Sequence, residues 1–216
     1  MQSSNLNEEL GQISHIFSDK TGTLTSNIMM FRKFSAGMRT YGRELPSKDN
    51  NLFGQEQEQK IPNVEFFDPH YKLDFEKGAP NVDNIERMLL NLALNHSILV
   101  EKPAPSEEMT GLQTPVEVDD TANLKYNASS PDELALVNGA RYLGATYIGR
   151  DSQNNNIALV NMRGQELKFE LLNTIEFDSA RKRMTSIFRN LATNRIVVMC
   201  KGADSALLPL LKDPED

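Results

Sequence analysis

The second half of the chain consists of strand-length segments separated by turn residues. Apolar side chains alternate with polar ones in these segments, which is typical of strands that bury one face. The segments are 146–149, 157–162, 167–177, 184–188 and 196–200. Asn, Gly and Ser lie between them, as turns require. The pattern predicts a mainly antiparallel sheet, and every other prediction about the fold has to accommodate that sheet.

Helical segments accompany the predicted sheet, so we expect an α+β fold in which helices face the sheet. One helix is predicted to begin at Asn81 or Asp83, because apolar residues follow at helical spacing. These residues are Ile85, Met88, Leu89, Leu92 and Ala93. A second helix is predicted to begin at residues 130–133, since Ser-Pro-Asp-Glu offers a cap, a proline for the first turn and the glutamate of a capping box. A short third helix is predicted over 203–211.

Two polar stretches interrupt this pattern. Residues 44–62 and 103–120 are poor in apolar side chains, and the first of them contains a run of alternating Gln and Glu. Stretches of this composition bury too little apolar surface to fold by themselves. We therefore expect both to be surface inserts.

A short motif near the start of the chain is typical of phosphoryl transfer. An apolar run at 13–17, expected to be a buried strand, leads into residues 19–25, Asp-Lys-Thr-Gly-Thr-Leu-Thr. Gly22 permits a tight turn that points backbone amides at a phosphate, and Lys20 adds a positive charge. The carboxylate of Asp19 could then attack a phosphoryl group and form an aspartyl-phosphate. The simpler alternative is a turn in which Asp and Thr side chains satisfy backbone donors.

The charge of the chain restricts its partners. There are 23 Lys and Arg against 30 Asp and Glu, a net charge of −7, so nonspecific binding of nucleic acid or of an anionic membrane is not expected. No segment approaches the run of about 18 apolar residues that a membrane-spanning helix needs. The single cysteine excludes an internal disulfide, and the three histidines lack metal-ligand spacing. An anionic nucleotide would therefore need a local cluster of cations.

Three segments that are distant in sequence supply groups suited to a nucleotide. The carboxylate of Glu133 could accept a hydrogen bond from an exocyclic amine of a base. Phe177 precedes the cations at 181–183, and an aromatic ring beside cations suits a purine with a polyphosphate. Lys201 precedes the small residues 202–203, which would permit close approach of a flat base. The simpler alternatives are a capping-box role for Glu133, a core position for Phe177 and a solvated turn for the cations.

The motif at 19–25 matches the phosphorylation signature of P-type ATPases. Residues 4–12, 130–133 and 182–184 make the chain resemble one subgroup, the type IV P-type ATPases, which are phospholipid flippases. The resemblance covers nearly the whole chain and is weak only in the polar inserts. It implies an enzyme that moves phospholipids between membrane leaflets at the expense of ATP.

The resemblance also implies a role for each candidate residue. Glu133 would contact the adenine and Phe177 would stack on it. The remaining residues expected to line the ATP site are Ser179, Lys182 and Lys201. Asp19 would receive the γ-phosphoryl group.

The resemblance further implies how the motif handles the phosphate. Asp19, Lys20 and Thr21 would contact the phosphates of ATP. Asp19 and the backbone carbonyl of Thr21 would also supply part of an octahedral Mg²⁺ site. In haloacid-dehalogenase-type phosphatases the position of Thr21 usually holds a second Asp, a general acid and base. Threonine cannot act in that way, so the phosphoenzyme is expected to persist, as a pump requires.

The resemblance divides the chain into three parts. Residues 1–35 would be a piece of the phosphorylation domain with one strand of its haloacid-dehalogenase-like α/β fold, 36–205 the nucleotide-binding domain, and 206–216 a return segment. The chain would then be part of the cytoplasmic region of an integral membrane protein, whose phospholipid substrate and accessory beta subunit bind elsewhere. By itself it is expected to bind ATP weakly without turnover. The rival interpretations are a haloacid-dehalogenase-type phosphotransferase and a nucleotide-sensing or interaction module.

Overall fold

The structure is a computed structural model of the 216-residue chain, and it describes residues 11–43, 61–76, 78, 80–101 and 124–211. The predicted insert at 103–120 lies outside the described residues, as do most of the insert at 44–62 and most of segment 4–12. The helices are α1 (Pro69–Glu76), α2 (Val82–Leu94), α3 (Pro131–Tyr142) and α4 (Asp204–Leu207), and a 3-10 turn, Leu208–Leu210, follows α4. The strands are β1 (Phe34–Ala36), β2 (Arg39–Tyr41), β3 (Leu99–Glu101), β4 (Lys125–Asn127), β5 (Ala145–Arg150), β6 (Ile157–Met162), β7 (Gln165–Asp178), β8 (Arg183–Asn190) and β9 (Arg195–Gly202).

Strands β5 to β9 form one antiparallel sheet in which each strand pairs with its neighbours in sequence. The predicted sheet is therefore confirmed, and so are the helices predicted to begin near Asn81 and Ser130. The pairing of β7 with β8 shifts register between Ile175 and Asp178. A β-bulge of this kind bends its strand. The bulge contains Phe177, so this aromatic residue lies where the regular pairing is interrupted.

Helices α2 and α3 pack against the sheet and against each other. The fully buried apolar side chains of α2 belong to Ile85, Leu89 and Ala93. Two asparagines also attach this helix to β9, the edge strand: Asn91 Nδ2 donates to Cys200 O at 3.0 Å, and Asn95 Nδ2 donates to Met199 O at 3.2 Å. Among the described strands β9 pairs only with β8, and these bonds attach α2 along this edge strand.

A cluster of aromatic rings ties the start of the chain to the helices. Phe34 of β1 stacks on Tyr41 of β2, with 4.9 Å between the ring centroids. Phe31 lies so close to α3 that a methyl group at Gly139 would come within 2.5 Å of its ring. The hydroxyl of Tyr71, in α1, donates to the carbonyl of Leu143 at 2.7 Å, just beyond the end of α3.

The apolar run at 13–17 does not form the predicted strand. No secondary structure is present there, and the exposed fractions are 54% for Ile13, 84% for Ile16 and 95% for Phe17. A strand needs a neighbour to pair with, and none of the described residues pairs with this run. The prediction of a buried strand at 13–17 is therefore wrong for this structure, which does not show the expected haloacid-dehalogenase-like strand among the described residues. None of the described helices combines the length and the apolarity needed to cross a membrane.

Candidate functional site

A carboxylate, an ammonium group and a serine meet where α3 begins and β9 ends. Glu133 Oε1 accepts a hydrogen bond from Lys201 Nζ at 2.7 Å. Glu133 Oε2 accepts two more, from the hydroxyl of Ser97 at 2.7 Å and from its backbone N–H at 3.2 Å. Only 12% of the Glu133 side chain and 22% of the Lys201 side chain are exposed. The pair is therefore largely shielded from water, which strengthens its attraction.

The capping-box interpretation of Glu133 is wrong. Ser130 is the N-cap of α3, as predicted, but its side chain makes no capping hydrogen bond. The carboxylate of Glu133 is bonded to Ser97 and Lys201 instead. Its position in the first turn remains favourable, because the positive end of the helix dipole stabilises an acidic group there.

The environment of Glu133 keeps its carboxyl group ionised. Burial alone would raise the pKa, but the hydrogen bonds from Lys201 and Ser97 and the charge of Lys201 outweigh burial and lower it below its ordinary value. The ionised group can only accept hydrogen bonds. A purine amine is a donor of the kind that such a group can bind.

The loop that carries Ser97 is held by buried polar residues. Asn95 is fully buried and accepts a hydrogen bond from the hydroxyl of Ser186 at 2.9 Å. His96 is also buried: its Nε2 donates to Ala93 O at 2.8 Å, and its Nδ1 accepts from the N–H of Ile98 at 3.1 Å. These bonds require the neutral ring with hydrogen on Nε2. Burial, the main cause, lowers the pKa of His96 to about 4.

Phe177 is a surface residue rather than part of the core. Its exposed fraction is 63%, so the core alternative is wrong. It lies in the bulge of β7 that faces the beginning of β8, and Lys201 of β9 pairs with Met184 on the other side of β8. Phe177 and Lys201 therefore lie at the same end of the sheet, on strands that flank β8. An exposed ring beside a cation-bearing strand end is suited to stacking on a base.

The turn between β7 and β8 brings Ser179 and Lys182 to this end of the sheet. Both residues are exposed, and the turn is closed by the N–H of Lys182 donating to Asp178 O at 2.7 Å. The carbonyl of Lys182 then accepts from the N–H of Ala203 at 3.0 Å, which joins the turn to the end of β9. A methyl group at Gly202 would come within 2.5 Å of that carbonyl. The absence of a side chain at Gly202 is thus explained by the protein's own packing, not by an approaching base.

The segment around Asp19 is exposed and its hydrogen bonds are local. Asp19 precedes one π-helical turn, Lys20–Leu24, in which Gly22 has φ +84°. The N–H of Thr25 donates to Lys20 O at 3.1 Å and closes this turn. No hydrogen bond or ion pair among the described residues joins Asp19 or Lys20 to Glu133 and Lys201. The side chain of Thr21 lies outside the described parts of the chain.

The described residues do not form a metal site of their own. Within them, no three His, Cys, Asp or Glu side chains come together in a group that could hold a metal ion. Asp19 and the carbonyl of Thr21 could therefore provide only part of the octahedral set that Mg²⁺ requires.

Sequence reasoning missed Ser97. It lies in a loop without periodicity or a motif, and its role depends on contact with Glu133, 36 positions away. The only sequence signal is indirect, since a short polar run after an amphipathic helix, Asn-His-Ser, precedes the apolar strand β3.

The structure brings four predicted residues to one end of the sheet: Phe177, Ser179, Lys182 and Lys201. Glu133 joins them through its bond to Lys201.

Comparison with known proteins gives one family match and several long alignments. A family model described as P-type ATPase, cytoplasmic domain N, matches residues 113–212. The chain is 36% identical, over 98% of its length, to phospholipid-transporting ATPase dnf1 of Schizosaccharomyces pombe. It is 37% identical over 99% to phospholipid-transporting ATPase DRS2 of Saccharomyces cerevisiae, and 34% identical over 97% to phospholipid-transporting ATPase IH of Mus musculus. It spans only 14–16% of the length of these relatives.

Proposed function

We propose that this chain is part of a P-type ATPase that transports phospholipids, and that it binds ATP through the end of its sheet. A model of the P-type ATPase cytoplasmic domain N matches residues 113–212, and nearly the whole chain aligns with phospholipid-transporting ATPases, which supports this proposal. In this proposal Glu133 accepts a hydrogen bond from the adenine amine and Phe177 stacks on the ring. Ser179, Lys182 and Lys201 line the rest of the ATP site. The observation that carries the proposal is the ionised, nearly buried Glu133 held by Lys201 at 2.7 Å, at the same end of the sheet as an exposed phenylalanine.

The charges at this end of the sheet suit a polyphosphate even though the whole chain is acidic. Lys182 is exposed, with φ +52° in the turn that precedes β8. This turn lies at the same end of the sheet as Glu133 and Phe177, so the ammonium group of Lys182 could meet the phosphates of a nucleotide bound there. A compact ammonium charge is a common partner of phosphate oxygens.

We further propose that Asp19 is the phosphate carrier of the longer protein. A carboxylate oxygen of Asp19 would attack the γ-phosphorus of ATP, the bond from that phosphorus to the bridging oxygen would break, and ADP would leave. Lys20 would neutralise the transferred group. Since Thr21 has no carboxylate that could act as a general base, the aspartyl-phosphate would persist long enough to drive a change of shape.

Mg²⁺ would neutralise phosphate charge when ATP is bound, with Asp19 and the backbone carbonyl of Thr21 among its ligands. The described residues do not complete such a site. Asp19 is also exposed. We therefore expect this chain to bind ATP without sustained hydrolysis. Steady hydrolysis by the purified chain, lost in Asp19→Asn, would contradict this.

The remaining proposals concern the longer protein. Residues 1–35 would belong to its phosphorylation domain, 36–205 to its nucleotide-binding domain and 206–216 to the return segment. Phospholipid would be the transported substrate and an accessory beta subunit a partner. These assignments are supported by the alignment of nearly the whole chain with phospholipid-transporting ATPases.

An ATP titration followed by backbone NMR tests the binding proposal. Chemical-shift changes are expected to concentrate at Glu133, Phe177 and Lys201, with little change in the turn between β8 and β9 at the opposite end of the sheet. GTP, which carries a different base, is titrated for comparison. Shift changes confined to that opposite turn, or none at saturating ATP, would overturn the proposal.

A further inference from the structure

We infer that Ser97 is a positioning residue for base recognition: it fixes the carboxylate of Glu133 so that one acceptor position faces the amine of a 6-aminopurine. This inference rests on the proposed binding of ATP and adds a determinant of specificity to it. The role differs from that of Glu133, because Ser97 acts through the carboxylate and not on the base itself.

A count of hydrogen-bond acceptors supports this role. A carboxylate has about four acceptor positions, two on each oxygen. Ser97 occupies both positions of Glu133 Oε2, with its hydroxyl at 2.7 Å and its N–H at 3.2 Å. Lys201 occupies one position of Oε1 at 2.7 Å. The hydrogen bonds among the described residues therefore leave one acceptor position, and it is on Oε1.

The position of Ser97 is fixed by its neighbours in sequence. Asn95 is bound to Asn91, Met199 and Ser186. Both ring nitrogens of His96 are hydrogen-bonded, and its ring contacts Tyr147 edge-on with 4.5 Å between the centroids. The hydroxyl of Ser97 therefore extends from a rigid support. A rigid donor holds its acceptor in one orientation more firmly than a mobile one does.

The remaining acceptor position discriminates between purines. An amine at C6 donates to it, whereas a carbonyl at C6 places a second acceptor against it, and the two oxygens repel each other. The low pKa of Glu133 matters here, because a protonated carboxyl group could donate to that carbonyl and lose the discrimination. Without the Ser97 hydroxyl the carboxylate could rotate toward Lys201. Its remaining acceptor position would then no longer face the C6 amine.

The experiment measures dissociation constants of the 216-residue chain for ATP and for inosine triphosphate, in which a carbonyl replaces the amine at C6. In Ser97→Ala, ATP is expected to bind about fivefold more weakly, the value of one modest hydrogen bond, and the preference for ATP over inosine triphosphate to fall by a similar factor. Ser97→Thr keeps the hydroxyl and should restore both values. Ser152→Ala, an exposed serine between β5 and β6, is the matched control.

The outcomes separate this inference from the proposed function. If Glu133→Gln weakens ATP binding while Ser97→Ala leaves affinity and preference unchanged, the inference is overturned and ATP binding stands. If Ser97→Ala weakens both nucleotides equally, Ser97 has no role in specificity and the inference is also overturned. If the unaltered chain binds no ATP, both are overturned. Ser97 is exposed, so the variant is expected to fold, and a thermal melt by circular dichroism checks this.

Discussion

Lys201 Nζ lies 2.7 Å from Glu133 Oε1, although the two residues are 68 positions apart in the chain. This bond joins the end of the edge strand β9 to the first turn of α3. The cation and the carboxylate that would meet a nucleotide are thus paired with each other. Since Lys201 occupies one position of Oε1 and Ser97 bonds Oε2, an adenine amine could bind to Oε1 without breaking either contact.

We expect Lys201→Met to destabilise the chain by about 1–3 kcal/mol, because it leaves a nearly buried carboxylate with one charged partner fewer. The matched control is Lys168→Met. Lys168 and Glu166 lie 3.5 Å apart with roughly half of each side chain exposed, and such pairs contribute about 0–1 kcal/mol. Urea unfolding at pH 7 measures both changes. Equal losses in the two variants would contradict a special role for the buried pair.

We expect Phe177→Ala to weaken ATP binding by about 1–3 kcal/mol, the range for stacking of a base on an aromatic ring. Its effect on stability should be small, because the ring is exposed. Leu191→Ala is the control: Leu191 is 42% exposed in the turn between β8 and β9. Isothermal titration calorimetry gives the affinities. An unchanged affinity in Phe177→Ala would remove this residue from the site.

The stability of the chain is expected to fall as the pH drops from about 6.5 toward 4. The pKa of His96 is about 4 in the folded chain against an ordinary value of 6.5, so between these values the unfolded chain binds more protons than the folded one. The free energy of unfolding therefore keeps the full contribution of neutral His96 above pH 6.5, and up to about 3 kcal/mol of it is lost as the pH falls toward 4. Urea unfolding at a series of pH values measures this slope.

His96→Gln tests the assignment of that slope. Glutamine carries a donor and an acceptor but does not titrate, so the slope between pH 6.5 and about 4 should largely disappear. His70→Gln, at an exposed position, should keep it. A slope that survives in His96→Gln would assign the proton uptake to another group.

Gly139→Ala is expected to destabilise the chain by about 1–3 kcal/mol, although alanine favours helices, because its methyl group would overlap the ring of Phe31. Adding Phe31→Leu should recover part of the loss, since the smaller side chain leaves room for the methyl group. Thermal unfolding of the single and double variants measures this. If Gly139→Ala proves as stable as the unaltered chain, Phe31 must move freely away from α3.

The sequence predicted the sheet well because each strand of β5–β9 carries its own alternation and its own turn. The predictions from the sequence were wrong where a segment needs another segment of the chain to pair with. The run at 13–17 is apolar enough for a strand, yet no described residue pairs with it. Helix α1 was missed because its apolar pattern is weak, although Asp68 before Pro69 is a usable signal: Asp68 Oδ1 accepts from the N–H of His70 at 2.9 Å.

The candidate site was predicted in its parts but not in its connections. Glu133, Phe177 and Lys201 were each identifiable from residue type and neighbours. The partner of Glu133 was not, because the capping box at Ser130 is a local arrangement that explains the same residue equally well. Only the tertiary fold brings Ser97 and Lys201 to the carboxylate. Long-range hydrogen bonds of this kind leave no periodic trace in a sequence.

The close contact of Gly202 with the carbonyl of Lys182, together with the bond from Ala203 to the same carbonyl, fuses the turn before β8 with the end of β9. The backbones that carry Lys182 and Lys201 therefore keep a constant spacing. If a nucleotide binds beside them as proposed, bending of this turn would not move it. A motion that brought its outer phosphate to a distant acceptor would have to pivot outside the junction of this turn with β9.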